Sequence, residues 1–439
     1  MSFEWKPFTD LLAAIVDNRG RTCPVGEAGM PLIATNCIDP GSLYPRYETS
    51  RFVSDETYRT WFRGHPVPGD ILFVCKGSPG RTNWCPDPVD FCIAQDMVAV
   101  RADPTRIAPK YLFSALRSSL VQSQIDNLHV GTMIPHFKKG DFGKLRIPVP
   151  DPSAQIEIGD FYFEVSRRIA LLHETNATLE AIAQALFKSW FVDFDPVRAK
   201  SHGLAPAGMD EATAALFPDG FETSALGPIP NGWRIEPLSS VCESIFSGGT
   251  PDTRKPEYWT GELRWFSSGE TRDAVVIDTE KHISLEAVRN SSTRLAKPGD
   301  VLIASAGQGT TRGQTSFCAV ETYINQSVVA VRTDAKRGDA SWTFLNLARR
   351  YDEMRMLSDS HSIRGSLTTK ILASMKLVLP HVAVMHAFGA VVGPLLSVQA
   401  ENRRTSRILS EIRDTLLPRL ISGQLRLPEA AAPLTEACT

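Results

Sequence analysis

The chain has 439 residues, 43% of them hydrophobic and 22% charged, and a formal net charge of −2. That length holds two or three domains, and the composition is that of a folded globular protein rather than a disordered or fibrous one. Near-zero charge excludes a whole-surface field for nucleic acid or membrane, so any polyanion site must be a local patch. No stretch approaches the roughly 20 apolar residues of a membrane span. Met1-Ser2-Phe3-Glu4-Trp5-Lys6 lacks signal-peptide form. Eight cysteines with no Cys-x-x-Cys pair read as reduced thiols of a cytoplasmic protein, and their spacing does not suit zinc.

In chain order, residues 1–150 read as a β-rich globular unit. Short runs such as Ile71-Leu72-Phe73-Val74 are separated by turn residues. A helix is expected over Lys110 to Gln124, followed by a loop from His129 to Pro135 and a basic segment with Lys138, Lys139, Lys144 and Arg146. Asp151-Pro152 suits a helix start, and a long central helix is expected over 151–195. Residues 196–231 are rich in Ala, Pro and Gly and read as a linker or wrap-around segment. A second unit over 232–380 repeats the strand-and-turn texture, with a helix expected over Trp342 to Leu357. A distal long helix is expected over 381–427, with Pro418 bending its last turn, and a loose tail over 428–439.

The second half echoes the first. Pro68-Gly69-Asp70-Ile71-Leu72 returns as Pro298-Gly299-Asp300-Val301-Leu302, and Ile147-Pro148-Val149-Pro150 returns as Leu377-Val378-Leu379-Pro380. The helices repeat too. Ile158, Val165, Leu172, Leu179 and Leu186 fall at every seventh position, and Phe388, Leu395, Asn402, Leu409 and Leu416 stand 230 residues later. Phe161 and Ile182 interleave the first series, and Val391, Val398 and Ile412 the second. A sustained seven-residue period is what two helices need to keep their seams facing, and a polar seam residue such as Asn402 fixes register. Ordinary amphipathic core helices give a shorter version of the same pattern. The chain therefore reads as α+β, with an internal duplication of a globular unit followed by a long helix.

Motifs for catalysis are missing. An adenine methyltransferase needs a glycine cofactor loop and an Asp/Asn-Pro-Pro-aromatic motif, and neither occurs. Gly307-Gln308-Gly309 and Ser247-Gly248-Gly249-Thr250 lack the remaining residues of a phosphate loop. No Glu-x-Lys follows Pro86-Asp87 or Pro251-Asp252 to complete a nuclease site, and no Gly-x-Ser-x-Gly elbow occurs. Both halves instead carry a polar, basic, glycine-bearing loop. The candidate DNA contacts are Lys76, Arg81, Asn83, Lys138, Lys139 and Lys144 in the first half. In the second they are Arg272, Arg312, Gln314, Arg364, Ser366, Thr368 and Lys370. Lys and Arg neutralise phosphates, while Arg, Asn and Gln can make paired bonds to base edges. Each alone is an ordinary surface residue; their recurrence favours a duplicated recognition surface. A helix of roughly 35 residues is roughly 50 Å long, more than one DNA turn of roughly 34–36 Å, which suits two half-sites.

These features resemble the specificity (S) subunit family of type I restriction–modification systems, over nearly the whole chain. The resemblance rests on the duplicated layout and on Leu186-Phe187-Lys188-Ser189-Trp190-Phe191-Val192-Asp193-Phe194. It also rests on the segment from Met209 to Pro218, on Gly227-Pro228-Ile229-Pro230-Asn231-Gly232-Trp233, and on Leu416-Leu417-Pro418-Arg419-Leu420-Ile421-Ser422-Gly423-Gln424-Leu425. It implies two target recognition domains, 1–150 and 232–380, each reading half of a split DNA sequence, joined by two helices packed as an antiparallel coiled coil. It implies a chain with no active site. The partners would be double-stranded DNA, two modification subunits that use S-adenosylmethionine to methylate adenine N6, and restriction subunits that use ATP and Mg2+. The first half departs from the pattern, starting at Trp5 without the Pro-x-Gly-Trp opening of the second. Two other readings remain at this point: a stand-alone methyltransferase or nuclease, and a coiled-coil scaffold that does not touch DNA.

Overall fold

A computed structural model describes residues 3–18, 22–47, 50–131, 133–307, 309–361 and 366–427. Contacts divide the chain into two compact units. One joins Met1–Leu172 to Thr405–Thr439, and the other is His173–Arg404. The division falls inside both long helices, not at their ends, because each helix contributes part of its length to each hydrophobic core.

In the first unit the main sheet has the order Leu12–Asp17, Met97–Ala102, Ile71–Val74, Thr82–Trp84, antiparallel throughout. Its central strand Ile71–Val74 is apolar at every position because both faces are covered. Ile71 and Phe73 face a core with Phe8, Phe113, Phe137 and Phe142, while Leu72 and Val74 face Ile33, Phe91 and Met97. A smaller sheet pairs Met30–Ile33 with Phe52–Val53 and, in parallel, with Cys92–Ile93. Asp70 of the Pro-Gly-Asp turn is fully buried and bridges to Arg101 at 2.8 and 2.9 Å, while its Oδ2 accepts the Val67 N–H. That paired bond satisfies the carboxylate and clamps the turn to the neighbouring strand.

The second unit is built the same way. Its main sheet runs Cys242–Ser247, Val328–Thr333, Val301–Ala304, Thr315–Cys318, with Val275–Val276 added at the edge. Asp300 bridges to Arg332 at 2.9 and 2.7 Å and accepts the Lys297 N–H. The register shift between Leu12 and Ala14 recurs between Cys242 and Ser244. Glu4 opposite Val149 recurs as Arg234 opposite Leu379. The segment 196–231, expected as a linker or wrap-around segment, is folded. It contains the helices Asp195–Ser201 and Glu211–Ala215 and a hairpin, Phe221–Ser224 with Gly227–Pro230. Val197, Phe217 and Ile229 enter the second core.

The helix expected over Lys110 to Gln124 is two helices, Pro109–Arg117 and Ser119–Leu128, broken at Ser118. Ser118 has an extended backbone, and its side chain caps the second helix. The helix expected over Trp342 to Leu357 is likewise two, Ala340–Ala348 and Tyr351–His361.

The central helix is Pro152–Phe191 and the distal helix Val382–Ile421, 40 residues each. The distal helix continues through Pro418 and ends before Gly423, which has φ 75. In the second unit Asn176 meets Gln399 and Asn402, and Phe187 packs on Phe388 with ring centres 5.8 Å apart. Rising numbers on one helix meet falling numbers on the other, so the pairing is antiparallel. In the first unit the Arg413 guanidinium lies 5.6 Å from the Tyr162 ring, and Leu417, Leu420 and Ile421 join the core that holds Ile158.

The expected seam needs correction. Ile158, Leu172 and Phe388 are buried, but Val165, Leu179, Leu186, Leu395, Asn402, Leu409 and Leu416 are only half-buried. The interleaved Ile182, Val391 and Val398 are exposed at 44%, 47% and 47%, and Phe161 and Ile412 are half-buried. The unbroken buried lines run three residues earlier: Gln155, Tyr162, Ile169, Asn176, Ala183 and Trp190, then Met385, Val392, Gln399, Ser406, Arg413 and Leu420. Five of these twelve are polar, so a search for apolar residues settles on the flanking line instead. Asn402, expected to fix register, donates to Asn176 Oδ1 at 2.9 Å.

By length and composition the distal helix is apolar enough to cross a membrane, with a window of mean hydropathy 1.6, contrary to the expectation from sequence. Its apolarity has a local cause: Val384, Met385, Phe388, Val392 and Leu396 all face the second core.

Candidate nucleic-acid interface

In the first unit the turn between Ile71–Val74 and Thr82–Trp84 carries Lys76 and Arg81, both exposed. Beside it stands the loop that follows the helix Ser119–Leu128. Val130 and His136 exchange backbone bonds of 2.9 and 2.8 Å, closing the loop into a narrow finger. The finger is tied to the turn by Gly77 N–H to Pro135 O at 2.9 Å and Phe137 N–H to Cys75 O at 2.8 Å. Asp96, in the left-handed region at φ 75, accepts the N–H groups of Cys75 and Lys76 at 2.8 and 3.1 Å. A cleft of 350 Å³ opens here, lined by Asp17, Asn18, Asp96, His136, Lys138 and Lys139. Asn18 donates to Ile93 O, while its buried Oδ1 has no partner among the described residues.

Lys76, Lys138 and Lys139 are thus brought to one place, with Arg81 on the same turn. Lys139 pairs with Asp17. Lys144 is exposed and pairs with Asp141 at 2.7 Å. Asn83 is a correction. It is fully buried and holds the segment 39–43, accepting the Asp39 N–H and donating to the carbonyls of Asp39, Ser42 and Leu43. It cannot reach a base without unfolding that segment.

In the second unit the loop between Val301–Ala304 and Thr315–Cys318 occupies the place of the Lys76 turn. Leu367 N–H bonds Ser305 O at 2.8 Å, the counterpart of Phe137 on Cys75. Tyr351 OH holds Thr310 O at 2.8 Å and Arg355 holds Gly309 O at 2.6 Å. Arg272 and Gln314 come together in a cleft of 420 Å³ with Thr271, Thr310 and Tyr351. Arg272 pairs with Glu280, and the Gln314 Oε1 accepts from Thr271 at 3.2 Å. Arg312 is a second correction: it is 9% exposed and pairs with Asp359, so it anchors its loop from inside. Thr368 caps the helix Thr369–Ser374, Lys370 is exposed and Ser366 half-buried. Arg364 lies outside the described residues.

Sequence reasoning missed His136, Asp96 and Asn18 around the first cleft, and Tyr351 beside the second. A polar residue in a loop shows no periodicity, so nothing short of the pairing of loops could place these. The adjacent large apolar residues Met133 and Ile134 in a loop were a visible signal.

Residues 41–181 match the family model described as the type I restriction modification DNA specificity domain. The chain is 25% identical over 405 residues to the type I restriction enzyme HindI specificity subunit of Haemophilus influenzae, covering 81% of this chain and 86% of that one. It is 20% identical over 328 residues to the MjaIX specificity subunit of Methanocaldococcus jannaschii, covering 74% and 70%. A type I restriction–modification S subunit from M. genitalium shares the fold, with a TM-score of 0.64 at 14% identity over 95% of this chain and 96% of that one. With a match to a DNA specificity domain over residues 41–181 and its duplicated architecture, the chain is similar over most of its length to specificity subunits of type I restriction enzymes.

Proposed function

We propose that this chain reads a bipartite sequence in double-stranded DNA and directs adenine-N6 methylation and restriction by partner subunits. The observation that carries the reading is the repeated site. Two units each hold a loop by the same backbone bond, Phe137 to Cys75 and Leu367 to Ser305, beside a turn bearing polar or basic residues. Two such sites on one chain suit two half-sites. Lys76, Arg81, Lys138 and Lys139 would meet phosphates and base edges of one half; Arg272, Gln314, Ser366 and Lys370 would serve the other. The paired helices would set the gap between them.

The chemistry belongs to the partners. Two modification subunits would supply S-adenosylmethionine-dependent methylation, and restriction subunits would supply ATP- and Mg2+-dependent cleavage, while this chain contributes recognition and assembly and no catalytic residue. The setting is cytoplasmic, where the DNA is.

Mapping N6-methyladenine across the genome, with and without this gene in cells carrying the modification gene, tests the proposal. A split motif that vanishes with the gene is expected, and exchanging residues 1–150 should change one half of it. Identical maps from cells in which the modification subunit is active would overturn it.

A further inference from the structure

Three apolar side chains stand out on the finger of the first unit. Met133 is 94% exposed, more than any other large apolar side chain among the described residues, with Ile134 at 58% and Val130 at 48%. Single exposed apolar residues are ordinary, but Met133 and Ile134 are adjacent at the tip, Val130 stands at its base, and that base is tied to the neighbouring turn. Bonds between Val130 and His136 close its base, and Gly77 and Cys75 grip its returning strand. Gly131 turns the chain at φ 95, where a Cβ would lie 2.7 Å from Ile134 O, so the bend admits only glycine. In this arrangement the Met133 and Ile134 side chains are not buried against the finger's own body.

What surrounds the tip indicates its occupant. Lys76 stands on the turn that grips the finger and Lys138 just beyond its base, both exposed and neither in an ion pair among the described residues. An apolar point between cations is complementary to a surface that is anionic along its rails and apolar between them. Duplex DNA is such a surface, with phosphates outside and stacked bases inside. Met, Ile and Pro are side chains that serve as wedges between base pairs, unstacking a step and bending the duplex.

We propose that Met133 and Ile134, backed by Pro135, form a wedge that enters a base step of the half-site read by the first unit, while Lys76 and Lys138 hold the flanking phosphates. This rests on the DNA-reading function proposed above and adds deformation of the duplex to it. Part of the sequence preference then comes from how readily a step opens rather than from hydrogen bonds to its bases.

The test uses the complete complex with its modification subunits. The probe is a duplex carrying the motif found by methylation mapping, with 2-aminopurine placed in turn at each position of the first half-site and dyes at the ends to report bending. The wild-type complex should raise 2-aminopurine emission at one step and shorten the end-to-end distance. Met133→Ala/Ile134→Ala should abolish both signals and weaken binding roughly tenfold or more, the scale of two lost apolar contacts. An abasic site at that step should restore most of the binding. Lys138→Ala should weaken binding while keeping the emission signal. A wild-type complex that selects its motif without unstacking any step overturns the wedge and leaves the recognition function standing. The wedge is also overturned if the double variant binds as tightly as wild type, or if it loses modification subunits while DNA distortion persists in the complexes that do form. A wild-type complex that selects no sequence overturns both.

Discussion

Asp70 and Asp300 show how much one side chain carries in this fold. Each is at most 2% exposed, each takes both ends of an arginine fork, and each also caps its own turn. Replacing the carboxylate by an amide leaves the turn geometry but strands Arg101 or Arg332. Asp70→Asn and Asp300→Asn should each cost roughly 2–4 kcal/mol, read as a lower urea midpoint with unchanged slope. The thiols give a second prediction. Burial pushes Cys75, Cys92, Cys242 and Cys318 up to about 12. At pH 8 each is therefore almost wholly the unreactive thiol, so iodoacetamide should leave these four unmodified in the native protein and label them only after denaturant is added. Rapid native labelling, followed by mass spectrometry, would contradict the burial described here. At this scale the sequence was a poor guide. Asn83 and Arg312 have the right chemistry for DNA, yet both are spent inside the protein, and residue type alone does not distinguish a buried guanidinium from an exposed one.

The elements were more legible. The strands around Pro-Gly-Asp, the two 40-residue helices and the duplication all follow from periodicity and turn chemistry. What failed was the seam, because Gln155, Asn176, Gln399, Ser406 and Arg413 interrupt the buried line with polar groups. The paired short helices failed as well, because Ser118 breaks the first expected helix in mid-pattern. Gly159 and Gly389, 230 residues apart, went unnoticed for the opposite reason: a glycine inside a helix looks like a defect. Each in fact marks where a long helix crosses the start of a shorter one. A Cβ on Gly159 would lie 2.7 Å from Tyr111 N, and one on Gly389 would lie 2.1 Å from Asp339 Oδ2. In an isolated helix glycine costs about 1 kcal/mol relative to alanine. Here Gly159→Ala and Gly389→Ala should instead lower the melting temperature, because the helices must separate to admit the methyl group. A rise in melting temperature for either variant would show that the crossing is loose.

For the whole molecule, each half supplies a globular body and a helix, and the helices run in opposite senses. On the proposed reading, the number of helical turns sets the gap in the DNA target. Matched insertion of two heptads into both helices, within the paired stretch, should lengthen the gap in the methylation motif and leave both half-sites unchanged. Insertion into one helix alone should disrupt the pairing and lower solubility. A tolerated matched insertion that leaves the gap unchanged would rule out the helices as its determinant. The presence of two bodies was readable from the repeat; their membership was not. The first body takes its final core residues from the far end of the chain, and no local pattern shows that.

That last feature governs the order in which the molecule is made. Leu417, Leu420 and Ile421 share a core with Phe8, Tyr111 and Phe142, so the first body cannot close until nearly the last residue of the distal helix has left the ribosome. The second body, His173–Arg404, is one continuous stretch and has all its parts sooner. The residues that complete the first body are thus made after all those of the second, so a refolding or co-translational experiment should find the first body's core closing only once the distal helix is present.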